Sequence, residues 1–197
     1  LHGIVYSILR YIQGVLAVDL TILGYILTAL CNVNTYIVAS VRVLALEFIL
    51  AIGGNWFSGW QDIKKAVPEA DRLGFWGFVM PDHYMWGPNM GGDSTLDTWI
   101  SLAYLAAKTE NIRLGTLVTP IPFRSPSILA KMISTLDTIS QGRVVLGVGA
   151  GWSQTEFEGY SEWNEPKIRV DKTEEGLELI LKLWQEENPV SFQGKYY

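Results

Sequence analysis

Four short apolar runs constrain this chain more than any other feature. They are 47–52 (Glu-Phe-Ile-Leu-Ala-Ile), 74–80 (Gly-Phe-Trp-Gly-Phe-Val-Met), 112–118 (Ile-Arg-Leu-Gly-Thr-Leu-Val) and 143–148 (Arg-Val-Val-Leu-Gly-Val). Each has the length and apolar character of a buried strand. Segments of helical period lie between them. Trp60, Ile63, Val67, Ala70 and Leu73 recur at three- and four-residue steps, a helix that Pro68 is expected to kink or restart. A second helix is expected from a cap at Ser94 or Thr95 to about Lys108, and a third from Ser125-Pro126 to about Ile139. Buried strands joined through helices run parallel. An open doubly wound sheet and a closed barrel both satisfy the pattern.

The rhythm breaks after the fourth run. Residues 153–170 are polar, aromatic and irregular, and read as an excursion from the core. Asp171-Lys172-Thr173-Glu174 has the form of a capping box with an acidic cap. It predicts a helix through Leu177, Ile180, Leu181 and Trp184, ended by Pro189. Residues 190–197 read as a small hairpin. The N-terminal stretch differs in kind: of 15 basic and 20 acidic residues, only Arg10, Asp19 and Arg42 precede Leu46. From Tyr11 to Cys31 it is apolar enough and long enough to span a bilayer, which takes about 20 residues. Asp19 in its middle would cost roughly 2.5–3.5 kcal/mol there. Residues 1–45 therefore read as a membrane anchor, a buried addition, or non-native sequence joined upstream of a start near Leu46; the break in composition favours the last.

The chemistry concentrates at the end of the second run, which stops at Pro81 and presents Asp82, His83 and, shortly after, Trp86. Catalytic groups in α/β barrels sit on the C-terminal ends of strands. His83 is one of two histidines and the natural group for proton transfer near neutral pH. Gly147-Val148-Gly149-Ala150-Gly151 leaves the fourth run without the Gly-x-Gly-x-x-Gly spacing of a dinucleotide site. Its glycines let the backbone approach a ligand closely, and they also serve as a tight exit from a crowded strand end. The acidic pairs Glu156/Glu158 and Glu174/Glu175 read as a solvated face and as helix-dipole partners. One cysteine and the lack of paired histidines leave no zinc spacing. A net charge of −5 argues against nucleic acid as a partner.

Several of these pieces, in order, resemble the luciferase-like monooxygenases, the bacterial luciferase superfamily. They are Gly-Phe-Trp-Gly-Phe-Val-Met-Pro-Asp-His (74–83) and Leu-Gly-Thr-Leu-Val-Thr-Pro (114–120) with Arg124-Ser125-Pro126 behind it. Leu-Asp-Thr-Ile-Ser-Gln-Gly-Arg (136–143), Leu-Gly-Val-Gly-Ala-Gly-Trp (146–152) and Glu-Glu-Gly-Leu-Glu (174–178) follow, and Pro-Val-Ser-Phe-Gln-Gly-Lys-Tyr-Tyr (189–197) closes the match. The resemblance covers 46–197 and nothing before it. It implies a TIM (β/α)8 barrel of the luciferase type, present as about four βα units, in a cytoplasmic oxidoreductase or monooxygenase. The cofactor would be FMN or the deazaflavin F420, with a small-molecule substrate. Full-length members imply a homo-oligomer, and a membrane would be a partner only if 1–45 is a genuine anchor.

Carried across, His83 matches the active-site histidine and Asp82 the acidic position before it. Trp86 roughly matches an active-site tryptophan. Thr116, Leu117 and Val118 match the strand end behind the cofactor ring, with a non-prolyl cis bond expected at Leu117–Val118. Gly149, Ala150, Gly151 and Trp152 match the glycine loop. Ala150 stands where bacterial luciferase has a phosphate-binding arginine and F420-dependent sugar-phosphate enzymes have a threonine. Trp152 replaces a catalytic glutamate of those enzymes. The resemblance therefore implies neither aldehyde luminescence nor sugar-phosphate dehydrogenation. A relative that only binds a flavin-like ligand, and an unrelated barrel or doubly wound enzyme such as a metal-dependent hydrolase, are the alternatives.

Overall fold

The computed structural model describes residues 47–51, 59–85 and 95–197. The readings made for 1–45, for a cap at Ser94 and for Trp86 lie outside the described residues. In chain order the elements are β1 (Ile49–Ala51), α1 (Trp60–Arg72), β2 (Gly77–Met80), α2 (Thr98–Ala106), β3 (Arg113–Thr116) and β4 (Thr119–Pro120). A 3-10 turn (Ile121–Phe123) leads to α3 (Pro126–Ser140), β5 (Val144–Val145), β6 (Val148–Gly149), α4 (Gln154–Tyr160) and α5 (Pro166–Gln185).

Strands β1, β2, β3 and β5 form one parallel sheet in that order. Its register places Leu50, Phe78, Leu114 and Val144 in one row across all four strands. Side chains alternate along a strand, so this row shares a face. Phe78 and Leu114 are fully buried there, and Leu50 and Val144 pack against the same core. The helices cover that face with Val67 and Ala70 of α1, Leu102 and Leu105 of α2, Leu129, Ile133 and Leu136 of α3, and Ile180 of α5. On the opposite face Gly115 lies between Val79 and Val145. At Gly115 a Cβ would run into the Val145 carbonyl, so only glycine lets β3 and β5 pair this closely.

Several sequence expectations need correcting. Helix α1 runs unbroken through Pro68. The lost N–H and ring clash cost about 3 kcal/mol. Val67 is fully buried, and Trp60, Ile63 and Ala66 pack on the same core; at roughly 1.5–3 kcal/mol per large buried side chain, packing wins. The cap of α2 is Asp97, whose Oδ1 accepts from the Ile100 N–H at 2.9 Å, while the Thr95 hydroxyl donates to the His83 carbonyl. Helix α5 starts at Pro166, five residues before the capping-box reading, because proline at the first helical position loses no bond the helix needs. The excursion is therefore mostly helical. Residues 190–197 form no strand; Glu175 instead accepts the N–H groups of Lys195, Tyr196 and Tyr197 at 2.8, 2.7 and 2.7 Å.

β1 is an exposed strand, with Phe48 and Ile49 both near half exposure; among the described residues it pairs only with β2. Of the third run only Arg113–Thr116 is strand, and the fourth is split between β5 and β6. The peptide between Leu117 and Val118 is cis, as the resemblance implies, and β4 then pairs in parallel with β6 as a separate ribbon. Among the described residues no helix is long and apolar enough to cross a membrane.

Candidate active site

His83 just after β2, Pro120 of β4 and Gly149 of β6 come together at one place. A cavity of ≈ 250 Å³ lies there. It is lined by His83, Glu156, Leu117, Val118, Pro120, Phe123 and residues 149–153. That volume is below the ~300–1,000 Å³ of pockets that enclose a drug-sized ligand.

Asp82 and His83 leave β2 in different directions. Asp82 is fully buried and does not line the cavity. Its Oδ2 accepts from Arg124 Nη1 at 2.7 Å, Thr119 Oγ1 at 2.9 Å and Trp99 Nε1 at 3.2 Å; its Oδ1 accepts from Arg124 Nη2 at 2.9 Å. Arg124 also reaches Asp97 Oδ2 at 3.1 Å and lies over the Tyr84 ring at 4.7 Å. Burial alone would lower the Arg124 pKa, but the Asp82 carboxylate outweighs it and holds the guanidinium above its usual value. Burial pushes the Tyr84 phenol up to about 12, so it stays protonated at neutral pH. This network ties β2, the β4 region and the start of α2 together behind the cavity. Thr116 belongs to it as well: 2% exposed, its Oγ1 donates to the Gly147 carbonyl at 3.0 Å and lies 3.1 Å from Thr119 Oγ1.

His83 turns toward the cavity. Its Nδ1 lies 2.7 Å from Glu156 Oε2. The other oxygen, Oε1, accepts the N–H groups of Tyr84 at 2.5 Å and Met85 at 3.2 Å. Glu156 is fully buried, which overturns its reading as part of a solvated face. Glu158, two residues on, does face solvent and accepts from Gln154 Nε2 at 2.7 Å. Residues two apart never share a helix face, and that spacing is the signal by which one member of the acidic pair should have been sent inward. Arg124 was also missed; its partner is 42 residues away and no local pattern marks it.

Leu117 and Val118, exposed by 60% and 36%, form an apolar shelf of the cavity that His83 lines, and Trp152, also lining it, is exposed by 60%. The Trp152 ring meets His83 edge-on at 5.7 Å between centroids. At Gly149 a Cβ would come within 2.7 Å of Val118 Cγ2, so glycine there lets the shelf close onto the loop. Gly151 has φ +78°, and the Arg169 guanidinium, stacked on Trp163 at 4.0 Å, holds its carbonyl at 3.3 Å. An exposed apolar shelf, an aromatic wall and a glycine-rich loop fit a flat ring system. Among the described residues no group of three His, Cys, Asp or Glu side chains is placed to hold a metal.

Residues 47–197 match the family model for luciferase-like monooxygenase. An F420-dependent glucose-6-phosphate dehydrogenase of Segniliparus rotundus is 38% identical over 142 residues, covering 70% of this chain and 41% of that protein. An F420-dependent secondary alcohol dehydrogenase, solved with an F420–acetone adduct, superposes with a TM-score of 0.67 at 25% identity, over 77% of this chain and 46% of that one. The oxygenating constituent of 3,6-diketocamphane monooxygenase from Pseudomonas putida, solved with FMN, gives 0.65 at 25% identity over 77% and 42%. The chain thus spans about two fifths of the length of the curated relatives it matches. The parallel sheet and its helices are part of a luciferase-type TIM barrel, the fold expected from the sequence.

Proposed function

The chain belongs to the luciferase-like monooxygenase family, and from that premise we propose that it serves a flavin-dependent oxidoreductase that binds F420 or FMN and a small organic substrate at the His83 cavity. One observation carries the reading: an imidazole anchored at Nδ1 and met edge-on by Trp152 lines one cavity with the apolar Leu117 and Val118. A bound deazaflavin or flavin would supply the hydride or oxygen chemistry. Leu117 and Val118 would back its ring, and the glycine-rich loop from Gly149 to Gly151 would approach it. His83 would give a proton to the substrate or take one from it, a contribution of about 10²–10⁴ in rate for a positioned acid or base. Asp82, Arg124 and Thr116 would act from behind by fixing the strand ends.

F420 is the favoured cofactor. The names of the curated relatives support that choice. For the substrate, Ala150 and Trp152 favour an apolar or aromatic portion at this wall over a sugar phosphate, and among the described residues no lysine or arginine lines the cavity. Titration of the purified full chain with F420 and with FMN, followed by absorbance, tests the binding half. Binding of one and not the other assigns the branch, and binding of neither refutes the reading. Where turnover is measured, His83→Ala is expected to keep cofactor binding and lose roughly 10²-fold or more in kcat; unchanged turnover removes His83 from the chemistry. Tight cofactor binding with no turnover on any electron donor would make the chain a ligand-binding relative.

A further inference from the structure

We propose that Glu156 is a positioning residue that fixes the tautomer of His83, holding a proton on Nδ1 so that Nε2 carries the lone pair. The use of that lone pair in the cavity rests on the function proposed above; the tautomer itself does not.

A neutral imidazole can carry its proton on either nitrogen, and the partner of one nitrogen decides the state of the other. Glu156 Oε1 faces two backbone N–H groups, those of Tyr84 and Met85. Backbone N–H groups only donate, so this oxygen is committed as an acceptor. Oε2 is 2.7 Å from Nδ1. With Glu156 as a carboxylate, which offers only acceptors, the proton in that contact belongs to Nδ1. The carboxylate has little freedom to turn away. Its neighbour Phe157 is fully buried, with ring centroids 4.3 Å from Phe123 and 5.6 Å from Trp163, and this pins α4. The Trp152 ring restricts the imidazole from the other side.

Glu156→Gln gives the sharp test. The amide is nearly the shape of the carboxylate, and its oxygen stays opposite the Tyr84 and Met85 N–H groups, because its NH2 cannot accept them. That leaves the NH2 facing His83. Nδ1 must then accept, and the proton moves to Nε2. The substitution keeps the backbone contacts and inverts the tautomer.

The experiment is 15N NMR of the full chain labelled at histidine, read at a pH where His83 is neutral. The chain has only two histidines, and His2→Gln assigns the second signal. The expected result is Nδ1–H in the unmodified chain and Nε2–H in E156Q. A proton on Nε2 in the unmodified chain overturns the proposal, whatever the variant does. An Nδ1–H signature retained in E156Q also overturns it, because Glu156 would then be only a brace for the Tyr84–Met85 backbone. Neither arm needs cofactor or turnover. Failure here leaves the cofactor titration to stand or fall by itself, and a failed titration leaves the tautomer unaffected.

Discussion

Removing the Arg124 charge should be far more damaging than removing any surface charge, and the chain carries its own control. Arg124 and Asp82 are 9% and 0% exposed at their side chains, with a two-pronged contact at 2.7 and 2.9 Å. Arg72 and Glu69 make a similar two-pronged contact at 2.8 and 2.5 Å, but are 68% and 46% exposed. Arg124→Met keeps the apolar stem and deletes the guanidinium. Asp82 then loses two of its four hydrogen bonds and keeps Thr119 and Trp99. Breaking one side of a buried pair costs about 3–5 kcal/mol, because the partner's charge is left uncompensated. The lost contact to Asp97 adds little, since that carboxylate is 27% exposed and water can take the vacated position. Against a typical domain stability of about 5–15 kcal/mol, most of the margin would go. Asp82→Asn removes the stranded charge, so the double variant should cost less than the two single ones added together, by about 0.5–3 kcal/mol. Urea unfolding followed by tryptophan fluorescence measures all of these as midpoint shifts at constant slope. Arg72→Met is expected to unfold with the unmodified chain. The reasoning is refuted if Arg124→Met falls within about 1 kcal/mol of the unmodified chain, or if the two arginine variants behave alike.

Two further expectations concern the frame around the site. Asp71 accepts the N–H groups of Glu110, Asn111 and Ile112 at 2.6, 3.1 and 2.8 Å; burial raises its pKa, but these bonds outweigh that and hold it below its usual value. Asp71→Ala should cost about 1–2 kcal/mol at neutral pH. A pKa depressed in the folded state gives stability that is complete above the unfolded value of about 3.9 and is lost as pH falls through the folded one. The gap between variant and parent should therefore close on acidification below about pH 4, and a gap that widens in acid would contradict the assignment. Gly151→Ala places an L-residue at φ +78° with its Cβ against the Phe157 ring. A loss of about 1–3 kcal/mol is expected by thermal unfolding, and a change below about 0.5 kcal/mol would mean the loop relaxes freely.

What the sequence made legible is what repeats. The apolar runs put Phe78 and Leu114 in buried strands, and helical spacing put Val67 and Ala70 on one helix face, which is the face that covers them. What stayed hidden depends on partners far away in the chain. Residues 112–118 carry no local mark of the break after Thr116, because the break is made by the pairing of Thr119 with Val148 on another strand. The start of α5 at Pro166 was masked by Asp171, which mimics a cap but is bound at 2.8 Å by Lys167 one turn earlier.

The Asp82–His83 dipeptide carries the same lesson into the site. Read as a sequence, two adjacent polar groups at a strand end look like one functional pair. Neighbouring residues at the end of a strand point to opposite sides, and here they enter opposite environments. Asp82 goes inward to four donors and is used up in fixing the frame, while His83 goes to the cavity and takes its carboxylate from Glu156, 73 residues on. Each acid thus has its own polar partner: Asp82 neutralises the Arg124 that braces the strand ends, and Glu156 orients the imidazole. Exchanging the two roles is sterically closed, because Oε1 of Glu156 is committed to backbone N–H groups and both oxygens of Asp82 to Arg124. A strand end that spends one residue on rigidity and the next on chemistry leaves His83 a fixed position without exposing the charge that fixes it. Asp82→Asn should therefore loosen the whole cavity edge, whereas Glu156→Gln should change only the proton on His83.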